Sequence, residues 1–413
     1  MGASVAYHLA RLGVTDVVLV EREKMLGTGS TGRNAGGVRH QFSNEANIRL
    51  SIESIGLLEH FAADVGHPID FHQDGYLFLL STPASVETFT RNVALQRGLG
   101  VDVRWLDAHD AAQLAPGLNA DGIVAATFCP RDGIADPNGV TMGFAKTAQA
   151  LGVSVERDVE VTGINVAAGR VTAVETTRGT IETRIVVNAA GPHARLIGRM
   201  AGVDVPVDPI RRHIFIATFD SSTLRPFDQL RVAPSPVEGR EPQGRPEPGR
   251  GTTGSGQASV GPARIPSSHI MVIDFETTFY FHREGAGLLF GMGDPYETPT
   301  FDTTVQWDFL PQVIDVAVTR LPALADASIS HAWAGLYEMT PDANPIIGAA
   351  DGVEGFYLIN GFSGHGFQHS PAAGRILADV ITGRDPRFDL APFAHGRFAA
   401  PPTGAASGER YVV

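Results

Sequence analysis

The sequence predicts an α/β protein. A doubly wound, mostly parallel domain lacking its first strand is intertwined with an α+β domain built on an antiparallel sheet. Three observations predict it. Residues 3–12 read as a helix closed by Gly13, followed by an apolar run at 17–20 and the acid Glu21, as expected of a helix and a parallel strand covered on both faces. Residues 27–37 hold five glycines, and a loop so poor in side chains exposes many backbone N–H groups. The stretches 186–191 and 356–366 each run a strand into a small-residue turn and then a helix, the junction at which such sheets bind ligands.

A length of 413 residues suits two domains, or one large domain with insertions. Apolar residues make up 43% and charged residues 19%, as in an ordinary globular chain. The formal charge of −13 opposes a nucleic-acid partner and an anionic membrane surface, which both need a basic face. No apolar run is long enough to span a bilayer. His8 and Arg11 interrupt the first apolar stretch, so it does not read as a secretory signal. The lone Cys129 excludes an intrachain disulfide and a cysteine-based zinc site. The 14 histidines show no paired ligand spacing, and no metal is expected. A reducing cytoplasm is the natural compartment.

In chain order, Ser43 is a candidate cap for a helix carrying Ile48, Ile52, Ile55 and Leu58 at helical spacing. A strand is expected at 75–80, a surface helix at 83–98 with proline in its first turn, and a short helix at 107–115. A strand at 123–128 and a helix at 138–151, closed by Gly152, come next. Segments at 153–155, 159–166, 171–176, 180–188 and 214–219 read as β. Residues 232–266 are rich in Pro, Gly, Arg and Ser without a hydrophobic period and read as a disordered insertion. Arginines there meeting an anionic partner is the alternative. Strands resume at 270–275, 278–282 and 288–290, and a helix covers 303–321. A last helix runs to Ile381, and 397–413 reads as an unstructured tail. The implied division is 1–69, 138–205 and 329–396 for the doubly wound domain, and 70–137 with 206–328 for the other.

An acid ending the second strand of a dinucleotide fold accepts hydrogen bonds from ribose hydroxyls. Glu21 lies 19 residues after Gly2, which alone could be the last glycine of a G-x-G-x-x-G turn. A βα unit with a surface acid is the plain alternative. Ser30, Thr31, Arg33 and Asn34 in the glycine loop suit a pyrophosphate or a flat ring; a floppy surface loop is the alternative. Arg39 is a candidate for a substrate carboxylate, which a guanidinium grips with two parallel bonds. An ion pair with Glu45 or Glu53 would use it otherwise. The turn 361–366 opens a helix whose amides and dipole favour an electron-rich group. His365 in that turn either faces the group or is a hydrogen-bonded structural residue.

Taken together and in this order, the motifs resemble the sarcosine oxidase, dimethylglycine dehydrogenase and D-amino-acid oxidase family of FAD-dependent amine oxidoreductases. Carrying the resemblance are Glu21-Arg22, residues 30–40 and 186–192, Tyr280-Phe281 before 285–289, and residues 335–342 and 361–367. It implies an FAD-binding domain intertwined with a substrate domain. Glu21 would hold the adenosine ribose, with Gly2, Arg22 and Val159 among the cofactor-binding residues. Gly29, Ser30, Thr31, Arg33, Asn34, Ala35 and Gly36 would cover the pyrophosphate and ring. Ala190, Gly191, Gly335 and the turn Gly361, Phe362, Ser363, Gly364, His365, Gly366 and Phe367 would line the flavin. Arg39 would take a substrate carboxylate, with Tyr337, Tyr280, His40 and Gln368 in the substrate pocket. The implied reaction is oxidation of a secondary amine or N-alkyl amino acid, by hydride transfer from the carbon beside nitrogen to flavin N5, followed by imine hydrolysis.

Departures from the pattern refine this. Some members bond FAD to a cysteine where this chain has Gly335, others to a histidine where it has Arg33, so FAD is expected to be non-covalent. Leu289 stands where simple oxidases carry a lysine that helps oxygen react. Gln368 stands where they carry a second carboxylate-binding cation. Both changes favour a dehydrogenase with another electron acceptor. Residues 37–43 and Gln368 most resemble the branch containing the mitochondrial flavoprotein of complex I assembly. That branch implies a non-enzymatic assembly or interaction factor as the alternative, and a partner-dependent subunit as a third. The resemblance further leads to the expectation that a strand and Gly-x-Gly precede Met1 in frame. The helix should then start near residue 2 beside a gap in the sheet. The chain as it stands should bind FAD poorly and expose apolar strand edges.

Overall fold

A computed structural model describes residues 1–219 and 265–399. The chain runs α1 (Gly2–Arg11), β1 (Val18–Glu21), β2 (Gly37–Val38), α2 (Glu45–Glu59), α3 (Phe61–Val65), β3 (Phe71–His72), β4 (Tyr76–Leu80), α4 (Pro83–Gly98), β5 (Arg104–Leu106), α5 (Ala108–Leu114), β6 (Ala125–Cys129), β7 (Gly133–Ala135) and α6 (Pro137–Ala150). Then come β8 (Ser154–Arg157), β9 (Val161–Ala167), β10 (Arg170–Thr176), β11 (Gly179–Glu182), β12 (Val186–Asn188), α7 (Ala194–Met200) and β13 (Asp208–Thr218). The last part holds β14 (Met271–Asp274), β15 (Tyr280–Glu284), β16 (Gly287–Met292), α8 (Leu310–Arg320), β17 (Ser328–Met339), β18 (Ile346–Ala349), β19 (Phe356–Asn360) and α9 (Gly366–Ile381). Most of the expected insertion, 232–264, and the tail from 400 lie outside the described residues.

Helix α1 is apolar on two sides, so it is buried between two neighbours. Ala6, Tyr7 and Ala10 pack with Val140 and Phe144 of α6, while Val5 and Leu9 pack with Ala373 and Leu377 of α9. Close approach to α9 depends on Gly374, where a Cβ would lie 2.1 Å from Ser4 Oγ. Ser4 Oγ in turn donates to the Ser370 carbonyl at 2.7 Å. Gly374→Ala is expected to destabilise the protein by about 1–3 kcal/mol through overpacking, read as a lower urea midpoint at unchanged slope.

The start of α1 lies between two small sheets. A Cβ on Gly2 would be 3.1 Å from Leu19 Cδ1 after β1's start and 3.6 Å from Ala189 Cβ just after β12. β1 pairs in parallel with β8, and β12 pairs in parallel with β19, which takes β18 on its other edge in antiparallel register. Among the described residues no strand joins the two, so the parallel sheet has the gap expected beside a helix that starts at Gly2.

An eight-stranded sheet in the order β17-β13-β16-β15-β14-β4-β6-β5 dominates the other layer. It is mixed, because β14 returns beside β4 in the same direction, while its other pairs are antiparallel. Residues alternate between faces along each strand. Leu77, Leu79, Val272, Phe281 and Phe290 face one side, covered by α5 and α8. Tyr76, Phe78, Ile214, Met271, Ile273, Tyr280 and Leu289 face the other. That second face looks toward the glycine loop and α9.

Several local expectations change in the structure. Asn44, not Ser43, caps α2, its Oδ1 accepting from Asn47 N at 2.9 Å. Ile52 leaves the buried stripe and is 38% exposed. The expected strand 180–188 splits into β11 and β12, which lie in different sheets. The helix expected over 303–321 begins as α only at Leu310, after a 3-10 turn at Trp307–Phe309. Pro311 explains this, since it has no N–H and its ring clashes with the carbonyl four residues before. Arg397 is anchored rather than free in a tail, its Nε donating to Asp342 Oδ2 at 2.8 Å. The three short strands β2, β7 and β3 form a small sheet that local pattern does not announce. It places Arg39 directly after its edge.

Candidate active site

One cavity is bounded by the inner face of the large sheet, the glycine loop and the start of α9. The loop is docked rather than floppy. Ser30 Oγ donates to Leu336 O at 2.6 Å and Arg33 Nη1 to Ala334 O at 2.8 Å, both on β17. Trp333 Nε1 donates back to Arg33 O at 3.0 Å. Asn34 closes the turn, giving a bond to Thr31 O and accepting one from Gly36 N, each 2.6 Å long. Ser30, Thr31, Arg33, Asn34 and Ala35 all reach the cavity. Gly29 and Gly36 shape the loop from behind; Gly36 needs its φ of +72° and would place a Cβ 2.6 Å from Ala135 O.

Helix α9 supplies the facing wall. Gly364, His365, Gly366, Phe367 and Gln368 line the cavity. No side chain caps the helix and its first turn holds no acid, so its partial positive end opens on the cavity, with the Glu338 carboxyl beside Gly366. His365 is buried, and neither ring nitrogen has a partner among the described residues. Its ring meets Phe42 edge-on, with centroids 4.8 Å apart. Burial, reinforced by the Arg39 charge, pushes its pKa well below the usual imidazole value, so the ring is neutral and offers one donor and one acceptor. Phe362 and Ser363 were expected to line the flavin but turn away. Phe362 belongs to the core against α9, and Ser363 Oγ accepts from Thr340 N at 3.2 Å. Gly361, with φ +71°, makes the turn between them and β19.

On the sheet side, Tyr280, Tyr337 and Arg39 line the cavity. Arg39 Nη1 donates to Gln41 O, and Arg39 N donates to Gln368 Oε1, both at 2.7 Å. The guanidinium lies 4.3 Å from the Phe42 ring centroid and 5.4 Å from that of Phe78. Glu45 and Glu53 are instead taken by Arg49 and Arg375. Tyr76, Arg212, Glu338, Met271 and Ile273 also line the cavity. Sequence pattern missed them because each is an ordinary strand residue whose role is set by which face of the sheet it occupies.

His40 does not join the pocket. Its Nδ1 meets Asp132 Oδ1 at 2.6 Å, and its backbone N donates to the same oxygen at 2.7 Å. That pairing holds the ring behind the wall. Cys129 completes a buried group whose ligand atoms all lie within 4.8 Å of one another. Burial and the neighbouring Asp132 push the Cys129 thiol far above its usual range, so in the absence of a cation it stays protonated.

Glu21, Arg22 and Val159, which the resemblance assigns to the adenosine side, lie at the end of the β1–β8 ribbon and do not line the cavity. Glu21 ends β1, is partly buried, and its Oε1 accepts from Glu23 N at 2.9 Å. Burial raises its pKa. Val159 N donates to Glu21 O at 3.0 Å, which places the two together. Arg22 is at the surface, paired with Glu23 at 3.0 Å. Ala190 and Gly191 lie at the turn after β12, with Gly191 at φ +54°. The residues therefore fit a dinucleotide: a strand-end acid, a donor-rich loop and a helix start. Gly335 lines the cavity and has no side chain to bond a flavin; a Cβ there would lie 3.1 Å from Arg33 Cβ.

Glu338 opens onto the same cavity from β17. Gly361 N donates to its Oε2 at 3.1 Å. Desolvation raises its pKa from 4.5 to about 7, against the lowering effects of the Gly361 bond and the Met1 amine. A carboxyl whose folded pKa lies above its unfolded value stabilises the fold below the unfolded value, and that stability is lost as pH rises through the folded one. Thermal stability is therefore expected to fall between pH 4.5 and 7 by an amount that Glu338→Gln removes. Parallel melting curves of the two proteins across that window check it; identical slopes would refute it.

A strand-end acid, a glycine loop docked on a substrate-facing sheet and an uncapped helix start define a flavin-dependent oxidoreductase. The family model described as FAD dependent oxidoreductase (DAO) matches residues 1–253 and 244–380. The chain belongs to that family, and its cofactor is FAD. It is similar to the mitochondrial dimethylglycine dehydrogenase of Rattus norvegicus, 29% identical across 96% of this chain and 44% of that protein. The sarcosine oxidase subunit beta of an Arthrobacter species is 27% identical over 96% of this chain and 88% of its own length. L-proline dehydrogenase from P. horikoshii has the same fold, with a TM-score of 0.79 and 30% identity over 96% of this chain and 94% of that one. The chain spans less than half the length of the dimethylglycine and sarcosine dehydrogenases it matches. No helix among the described residues is long and apolar enough to cross a membrane.

Proposed function

We propose that this FAD-dependent oxidoreductase oxidises a secondary amine or N-alkyl amino acid and passes the electrons to an acceptor other than oxygen. The observation that carries the reading is the cavity, in which Arg39 and the phenols of Tyr76, Tyr280 and Tyr337 share one space with the glycine loop and the start of α9. Bound FAD would supply the hydride acceptor. The chain's part is to bind and orient the amine and to exclude water. Burial pushes the pKa of each of the three tyrosines up, so all remain protonated hydrogen-bond donors. With His365 neutral as well, the site favours an uncharged amine beside an anionic group. Leu289 is buried in the inner apolar face, where the resemblance puts an oxygen-activating lysine, and this supports a dehydrogenase. The relative named as a subunit beta supports a partner subunit. The single, buried Cys129 suits a reducing cytoplasm.

Anaerobic mixing of the FAD-loaded protein with sarcosine, dimethylglycine, L-proline and related amines tests the reading. At least one should bleach the flavin, and reoxidation should be faster with a soluble dye than with air. A flavin spectrum that no amine changes would sink the proposal.

A further inference from the structure

We infer that Arg212, not Arg39, is the group that grips the carboxylate of the substrate, an inference that rests on the amino-acid reading above. The two arginines 211 and 212 are neighbours on β13, and strand alternation sends them to opposite faces. Arg211 is buried on the outer side, where Glu297 takes it at 2.9 Å and Asp302 at 2.9 Å. Arg212 faces inward with Ile214, and both line the cavity. Opposite it in the register on β17 stands Gly335, which has no side chain to cover the guanidinium. Two residues further on the same face is Tyr337, and the guanidinium carbon lies 5.3 Å from its ring centroid. That contact keeps the guanidinium over the ring at the cavity wall.

Arg212 has few other uses. Its Nη1 donates to Arg211 O at 3.0 Å, its Nε is buried without a hydrogen-bond partner, and no carboxylate among the described residues pairs with it. A buried guanidinium nitrogen left unpaired is unfavourable, and a planar carboxylate is the ligand whose geometry satisfies it. Arg39 differs. Its Nη1 is engaged by Gln41 O and its face by two phenylalanine rings, so it builds the wall and adds positive potential. The site is thus specific for an amine bearing a carboxylate one carbon away, over a simple alkylamine.

Acetate and its neutral counterpart acetamide, titrated into the FAD-loaded protein and followed by perturbation of the flavin spectrum, test the assignment apart from turnover. Acetate should bind and acetamide should not. Arg212→Met should weaken acetate by about tenfold or more, Arg212→Lys should recover part of the loss, and Arg39→Met should weaken it less. Melting curves of the variants identify any that fail to fold, and Arg212→Gln then replaces Arg212→Met. Equal acetate affinity in Arg212→Met and wild type, or a larger loss in Arg39→Met, would overturn the assignment. So would wild-type protein that binds neither probe while amines bleach its flavin, an outcome that leaves the amine reading intact. If acetate binding depends on Arg212 but no amine reduces the flavin, the subsite stands and the amine-oxidation reading falls.

Discussion

Gly364→Val is expected to give a protein that melts lower and loses most of its FAD on gel filtration. Two effects add at this position. The residue sits at φ +96°, a conformation that disfavours a side chain by about 1–2 kcal/mol and a β-branched one most. A Cβ there would also lie 2.5 Å from Tyr337 Cε2 and 2.9 Å from Cζ. Moving a packed ring aside costs about 1–3 kcal/mol more. The ring cannot retreat freely, because the Arg212 guanidinium lies over it, 5.3 Å from its centroid. Gly364→Ala should show the same signs at a smaller size. Thermal melts with and without added FAD, and flavin content after gel filtration, measure both effects. A valine variant with wild-type flavin content and melting point would show that the turn is looser than its packing indicates.

Asp132→Ala is expected to be the most damaging change of a residue that does not line the cavity. Its carboxylate is fully buried and accepts from His40 N at 2.7 Å, meets His40 Nδ1 at 2.6 Å, and accepts from Gln41 Nε2 at 3.2 Å. Gln41 is further tied to Tyr76 O and Thr127 Oγ1. Removing the acceptor leaves buried donors on His40 and Gln41 unsatisfied at about 1–3 kcal/mol each, so together the loss should reach about 3–5 kcal/mol. Because Arg39 lies next in the chain and bonds to Gln41 O, acetate affinity should fall in whatever fraction folds. Asp132→Asn, which keeps one acceptor oxygen, should recover part of the stability. Urea unfolding of the three proteins separates these outcomes.

What local pattern can reveal, it revealed here. Helix α9 is announced by a strand, a glycine turn and a run of helical period, and the structure places it at 366–381. The glycine loop is visible as composition alone. The features that escape are those decided by distant partners. β2 and β3 have two residues each and exist only because β7 pairs with both. Nothing local separates Arg211 from Arg212; sheet register and the glycine opposite decide which one is free to meet a ligand. His40 looks like Arg39's companion in the sequence, yet Asp132, 92 residues away, claims it. Phe362 and Ser363 share a turn with His365 but face the core, because the positive φ values at Gly361, Ser363 and Gly364 reverse the chain between them.

The hydrogen bonds from Ser30 and Arg33 to β17, and from Trp333 back to Arg33, have a thermodynamic consequence. They join the glycine loop, which lines the cavity, to an edge strand of the large sheet, so local opening of one should loosen the other. Ligand binding then stabilises both by the same increment, RT ln(1 + [L]/Kd). Amides of β13 and β17 should therefore exchange with solvent more slowly in the FAD-loaded protein than in the apoprotein, although β13 contributes no residue to the loop. Slower exchange in both strands would show that the cofactor's free energy reaches the sheet and that loop and sheet open as one unit.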